Sequence, residues 1–363
     1  MNRRTFLYTG AVASASLALP RSMRAFTTTD DGAWRTFEVI TRVEVLNPSA
    51  TTRVWLPAAL LKERPYQKTL SNVFRAEGGT VEMVEVKDGD YGIVSATFPA
   101  GVPPILTLTS RVMTKDAGVD VTAPGRSPKA PASELQKFLQ PTKMVPTDGV
   151  VRDQSASICL GVTGDVQKAR AIYEWIVDNT FRDPKVRGCG IGDIKFMLES
   201  KNLGGKCADL NALYVGLARA AGLPARDLYG LRVGPSRLGL KSLGLKSEDA
   251  TKAQHCRAEV YCDGYGWIPV DPADVRKVVL EEPPGNRSLD DETVKQARAR
   301  LFGAWEMNWM AYNSSHDVAL PGSTLSPINY FMYPQAETGG ARIDPLDAEK
   351  FKYEITSKEL TEA

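Results

Sequence analysis

Between residues 34 and 115 apolar and polar side chains alternate with a period of two, the pattern of strands with one buried face. Phe37, Val39, Val43 and Val45 share such a face, and similar runs cover residues 52–56, 81–86, 93–98 and 105–112. Asn47-Pro48, Gly78-Gly79, Asp88-Gly89 and Pro103-Pro104 punctuate them, so short strands joined by turns predict a β-sandwich domain over 34–115. That stretch holds no cysteine and no histidine, and is expected to fold by itself and supply no catalytic atom. Residues 116–150, with Pro124, Pro128, Pro131 and Pro141, read as a linker that wraps or spans between domains.

The period then changes to that of a helix. Val166, Ala169, Tyr173, Ile176 and Val177 form one stripe, and residues 193–198 form a shorter helix. Leu210, Leu213, Tyr214, Leu217 and Ala221 form another, closed by Gly222 and Pro224. Between them Gly188-Cys189-Gly190-Ile191-Gly192 reads as a flexible loop. No strand leads into it and no Lys-Ser/Thr pair follows, so it is no phosphate cradle. A core over 151–280 is therefore expected, followed by an extension over 281–363 that packs on it. In that extension residues 292–301 read as a helix, Trp305 and Trp309 as core or domain glue, and 330–334 and 351–355 as strands closing a sheet. His316 falls in a polar stretch and reads as a surface residue, with a place lining a cleft as the alternative.

Cys207 stands three residues before Leu210, at the first turn of its helix. There the helix dipole and free backbone N–H groups favour a thiolate and can hold an oxyanion. Residues 255–262 and 267–272 read as the strands of a hairpin around Asp263-Gly264-Tyr265-Gly266, with His255 and Asp271 at its open end. A three-residue loop or a bulge puts both side chains on one face; a two-residue loop puts them on opposite faces. A buried structural cysteine, a strand-end histidine and a turn aspartate are the bland alternatives, but together the three residues have the makings of a nucleophile, a base and an orienting carboxylate.

Gly-Lys-Cys-Ala-Asp-Leu-Asn-Ala-Leu at 205–213, Ala-Arg-Ala-Ala-Gly-Leu-Pro-Ala-Arg at 218–226, His255 and Tyr-Gly-Trp-Ile-Pro-Val-Asp-Pro at 265–272 resemble the core of the bacterial transglutaminase-like superfamily, from about 165 to 277. The resemblance implies an α+β fold in which a helix bearing the cysteine packs on an antiparallel sheet bearing the histidine and aspartate, as in papain. It also implies a catalytic triad of Cys207, His255 and Asp271. Many members of that superfamily have Trp two residues after the histidine, where this chain has Arg257. Three activities are compatible: a cysteine peptidase or amidase passing an acyl group to water, a transferase passing it to an amine, or a binding module without chemistry. Hydrolysis leads, because nothing in the sequence marks a protected amine channel.

Arg3 and Arg4 precede a short weakly apolar run, 7–20, resembling a twin-arginine export signal, so residues 1–33 read as signal and linker and the product as periplasmic or otherwise exported. Losing residues 1–25 would remove four basic and no acidic residues, taking the formal charge from +2 to −2. That balance gives no bias toward nucleic acid, and the run is too short for a stable membrane anchor. Five cysteines and two histidines show no ligand spacing, so no metal and no cofactor are expected. Cys256 and Cys262 lie on one strand, about 20 Å apart at roughly 3.3 Å per residue, and cannot bridge. The expected partner is a peptide or protein substrate, and nothing in the sequence specifies an oligomer.

Overall fold

The computed structural model describes residues 32–89 and 91–361; the stretch 1–31, on which the expected export signal falls, lies outside them. Strand Arg35–Val45 buries every second residue, as the alternation requires, and sits inside a sheet ordered Phe351–Leu360, Arg35–Val45, Ile105–Thr114, Gln67–Glu77. A second sheet runs Ala341–Ile343, Gln335–Thr338, Thr52–Pro57, Tyr91–Phe98, Thr80–Val86. Val43, Leu106 and Phe351 of the first meet Val54, Ala96 and Ala336 of the second in one buried cluster, which makes the pair a sandwich.

Its membership differs from the expectation for residues 34–115 in one respect: both sheets take strands from the end of the chain. Thr36 pairs with Leu360 and Val45 with Phe351, and Gln335–Thr338 pairs with Thr52–Pro57. The C-terminal extension thus completes the sandwich as well as contacting the core. Strand Gln67–Glu77 has no alternation to betray it, because it lies at a sheet edge with Leu70 and Val73 exposed.

The core sheet is antiparallel, ordered Gly266–Val270, Gln254–Cys262, Ala225–Arg232, Trp309–Asn313. Its last strand also comes from the extension. Helix Cys207–Ala220 packs on this sheet, and every residue from Cys207 to Arg219 is buried, because helices Gly149–Ile158 and Asp165–Asn179 cover its other sides. Between sandwich and core, Leu60 and Tyr66 meet Trp305 and Trp309 in a buried cluster. There Gln67 exchanges two hydrogen bonds with the backbone of Ala311, at 3.0 and 2.7 Å. The two tryptophans are the glue their spacing suggested. In the linker region, Ala117–Gly118 pairs with Ala304–Trp305 and Ala132–Lys137 is a short helix.

Candidate active site

The hairpin register decides whether His255 and Asp271 can meet. Cys262 pairs with Gly266 and Ala258 with Val270, so the loop is Asp263-Gly264-Tyr265 and odd-numbered residues of both strands share a face. Asp271 follows the return strand as N-cap of helix Pro272–Glu281. Its Oδ1 accepts from the Asp274 backbone N–H at 3.0 Å and from Asn211 Nδ2 at 3.3 Å, while its Oδ2 lies 2.8 Å from His255 Nε2. With Nε2 engaged, Nδ1 is the ring nitrogen left for a thiol, and the imidazole is among the groups that hold the Cys207 thiol down. The structure therefore brings Cys207, His255 and Asp271 together, at 4%, 3% and 0% exposure, with Cys207 and His255 lining an open cleft of about 1300 Å³.

Further residues complete the site beyond the three that the sequence pattern brings together. Asp274 Oδ2 lies 3.4 Å from His255 Nε2, and its Oδ1 accepts from Arg232 Nη2 at 2.5 Å. Arg257, the departure noted above, lies with Nε 3.7 Å from Asp271 Oδ2 and its guanidinium 4.9 Å from the Trp309 ring centre. Trp309 in turn donates its indole N–H to the His255 carbonyl at 2.8 Å. Asn211, one turn along the helix from Cys207, also donates to the Cys256 carbonyl at 2.7 Å, tying helix to strand. Only Asn211 falls within a quoted motif; the others depend on long-range packing.

These groups set the protonation states. Burial and Arg232 push the His255 imidazole down, but Asp274 and Asp271 outweigh them and hold it up at about 10. Hydrogen bonds from the Cys189 and Cys256 thiols, then from His255, hold the Cys207 thiol well below its ordinary range against the opposing effect of burial. The partner thiols shift the other way: Cys189 is raised by its bond to Cys207 and by burial, and Cys256 by burial and its bond to Cys207. Burial and Asp274 raise the Asp271 carboxyl, whereas Asp274, despite burial, is held well down by Arg232. The arrangement favours a thiolate–imidazolium pair, with the charges of two buried carboxylates offset by two buried guanidiniums. His255, Asp271 and Asp274 bring ligand atoms within 4.8 Å of one another, but Arg232 and Arg257 already supply the positive charge a cation would bring to that cluster.

The loop before the helix is pinned where the sequence suggests flexibility. Asp209 Oδ1 accepts from the N–H groups of Ile191 and Gly192, each at 2.9 Å, and its Oδ2 from Lys206 N–H at 2.9 Å. Gly190 has φ 98°, and a Cβ there would lie 1.9 Å from Asp209 Oδ2, so only glycine lets the loop close on the carboxylate. The Cys189 carbonyl takes the Ala208 N–H at 2.9 Å. Of the first-turn donors, Cys207's own N–H is left without an acceptor among the described residues. His316 is not a surface residue: its Nε2 lies 2.9 Å from Asp227 Oδ2 and its side chain is 6% exposed, inside a cluster with Tyr229.

Residues 152–272 match the family model of the transglutaminase-like superfamily. Among curated proteins, an uncharacterized protein of Haemophilus influenzae is 41% identical over 236 residues, 62% of this chain and 63% of that protein; the chain thus spans a little under two thirds of that relative. Among solved structures, a candidate cysteine protease from Cytophaga hutchinsonii superposes with a TM-score of 0.51 at 16% identity, over 90% of this chain and 98% of that one. The periplasmic domain of TgpA from Pseudomonas aeruginosa superposes with a TM-score of 0.36 at 15% identity, over 71% and 92%. Among the described residues no helix is long and apolar enough to cross a membrane.

Proposed function

From the premise that the core of this chain is a domain of the transglutaminase-like superfamily, we propose that the protein is an exported cysteine hydrolase cleaving amide bonds in peptide or protein substrates. The observation that carries this reading is the buried line from the depressed Cys207 thiol through His255 to Asp271, at the wall of an open cleft. The Cys207 thiolate attacks the amide carbonyl carbon, and the oxyanion that forms is met by the free N–H of Cys207 at the positive end of its helix. The imidazolium of His255 gives its proton to the leaving nitrogen as the C–N bond breaks, leaving a thioester on Sγ. Water then attacks the thioester carbon, His255 takes its proton, and the C–S bond breaks to release the acid.

Asp271 acts on the imidazole, fixing the ring orientation and stabilising its charged form without itself changing protonation. Amine transfer differs only in the second step, where an amine replaces water; no lining feature favours that route over the solvent that an open cleft admits. Arg3 and Arg4 supply the address for export. Mass spectrometry of Cys207 after incubation with cell-wall peptides, and with a glutamine peptide plus amine, tests the proposal. A transient thioester followed by free acid is expected. No adduct on Cys207 under either condition overturns it, and amine incorporation in excess of hydrolysis replaces it with the transferase.

A further inference from the structure

The cleft carries a charge that the rest of the chain does not share. Nine basic side chains line it against two carboxylates, Asp249 and Glu281, whereas the whole sequence is near neutral at +2. Four of the nine are already committed: Arg232 to Asp274, Arg187 to Asp344, and both Arg182 and Lys277 to Glu281. The remaining five, Lys206, Lys241, Lys246, Lys252 and Lys352, form no ion pair among the described residues. They come from separate segments that converge on the cleft. Lys206 immediately precedes the nucleophile, and Lys352 lies on the last sandwich strand. The other three sit in the connection 233–253 between two neighbouring strands of the core sheet. Adjacent antiparallel strands need only a few residues to join them, and a connection this long is commonly a binding element.

Lysines gathered without partners repel one another and raise the local potential, so a concave wall of them concentrates anions. Their ammonium groups are point charges on flexible stems, suited to carboxylates presented at several positions along a chain more than to one rigid group. We infer that the substrate is an acidic peptide: a chain with several side-chain or terminal carboxylates, whose acidic residues lie on Lys241, Lys246, Lys252 and Lys352 while Lys206 draws one carboxylate close to the scissile amide. The inference rests on the hydrolase reading, but concerns binding and is separable from turnover.

The test uses full-length Cys207→Ala protein and a fluorescein-labelled peptide of alternating Glu and Ala, compared with its Gln-Ala counterpart and a single-stranded oligonucleotide of equal charge. Fluorescence anisotropy at low salt is expected to show the acidic peptide binding at least tenfold tighter than the Gln peptide, with the preference shrinking as salt rises. Lys241→Glu/Lys246→Glu/Lys252→Glu should abolish the preference with only a small change in thermal midpoint, since these side chains are exposed and the attraction lost is that of Lys252 for the equally exposed Asp249. Lys241→Gln/Lys246→Gln/Lys252→Gln should reduce it by an intermediate factor. Equal binding of the two peptides, tighter binding of the oligonucleotide, or a preference that survives charge reversal overturns the inference. Because Cys207→Ala has no nucleophile, none of these results bears on whether the wild-type protein hydrolyses amides.

Discussion

Arg232 and Asp274 form a buried ion pair at 2.5 Å that leaves the other Asp274 oxygen 3.4 Å from the imidazole nitrogen already held by Asp271. His255 thus faces two carboxylates, one orienting it and one neutralised by a guanidinium. Arg232→Met should cost about 3–5 kcal/mol of stability, because it strands a buried carboxylate. Combining it with Asp274→Leu should recover much of that loss. Denaturant unfolding of the two variants checks the pair; equal losses would show that Arg232 stabilises through packing alone.

Iodoacetamide should modify Cys207 before the other four cysteines, and should continue to do so well below 9.0, the pH at which an ordinary thiol is half ionised. The depressed Cys207 thiol and the raised Cys189 and Cys256 thiols set that order. Peptide mapping after brief labelling at pH 6 and pH 8 measures it.

Stability against pH carries two opposed contributions. The folded imidazole, raised from 6.5 to about 10, contributes stability that is full below 6.5 and is lost as pH rises through 10. The Cys207 thiol, lowered from 9.0, contributes stability that is full above 9.0 and is lost as pH falls through its folded value. Between about 6.5 and 9 the two offset each other, and the wild-type profile from this pair should be nearly flat. Cys207→Ala should unmask a decline with rising pH whose slope approaches ~1.4 kcal/mol per pH unit, and Cys207→Ala/His255→Gln should flatten it again. Denaturant melts across pH 6 to 10 give the profiles.

Gly190→Ala should break the contact between the loop and Asp209. A left-handed conformation and a Cβ overlapping the carboxylate should together cost about 1–3 kcal/mol, and the loop should release the Ala208 N–H from Cys189. Loss of hydrogen-exchange protection at Ile191 and Gly192, with the core helix still protected, is the expected readout.

Deleting residues 345–363 removes the strand beside Arg35–Val45 and its buried Phe351 and Ile355. The sandwich should then lose cooperative unfolding, and residues 34–115 expressed alone should show none. Calorimetry of both tests the dependence.

How much of this the sequence discloses depends on the range over which each feature is encoded. Cys207 at a helix start, the hairpin and the end positions of His255 and Asp271 rest on local periodicity and turn chemistry. Whether the last two face each other hinges on one residue of loop length, settled by the Cys262–Gly266 pairing. Asp274 is invisible until Asp271 is known to cap a helix, since that cap turns a residue three positions on back toward the imidazole. Arg232 and Trp309 reach the site across strands far apart in sequence. Leu70 and Val73 hide their strand because nothing covers them, and the partner of Arg35–Val45 cannot be guessed from either segment.

That last pairing governs the order in which the protein can be made. Thr36 leaves the ribosome long before its partner Leu360. The opening strands must wait, one side unsatisfied, while the entire core is synthesised between them. Contacts so distant along the chain are slow to form, and an exposed strand edge is open to pairing with other chains in the meantime. Without the strand Phe351–Leu360 that edge would stay bare, so closure of the sandwich waits on a segment made only after the whole core.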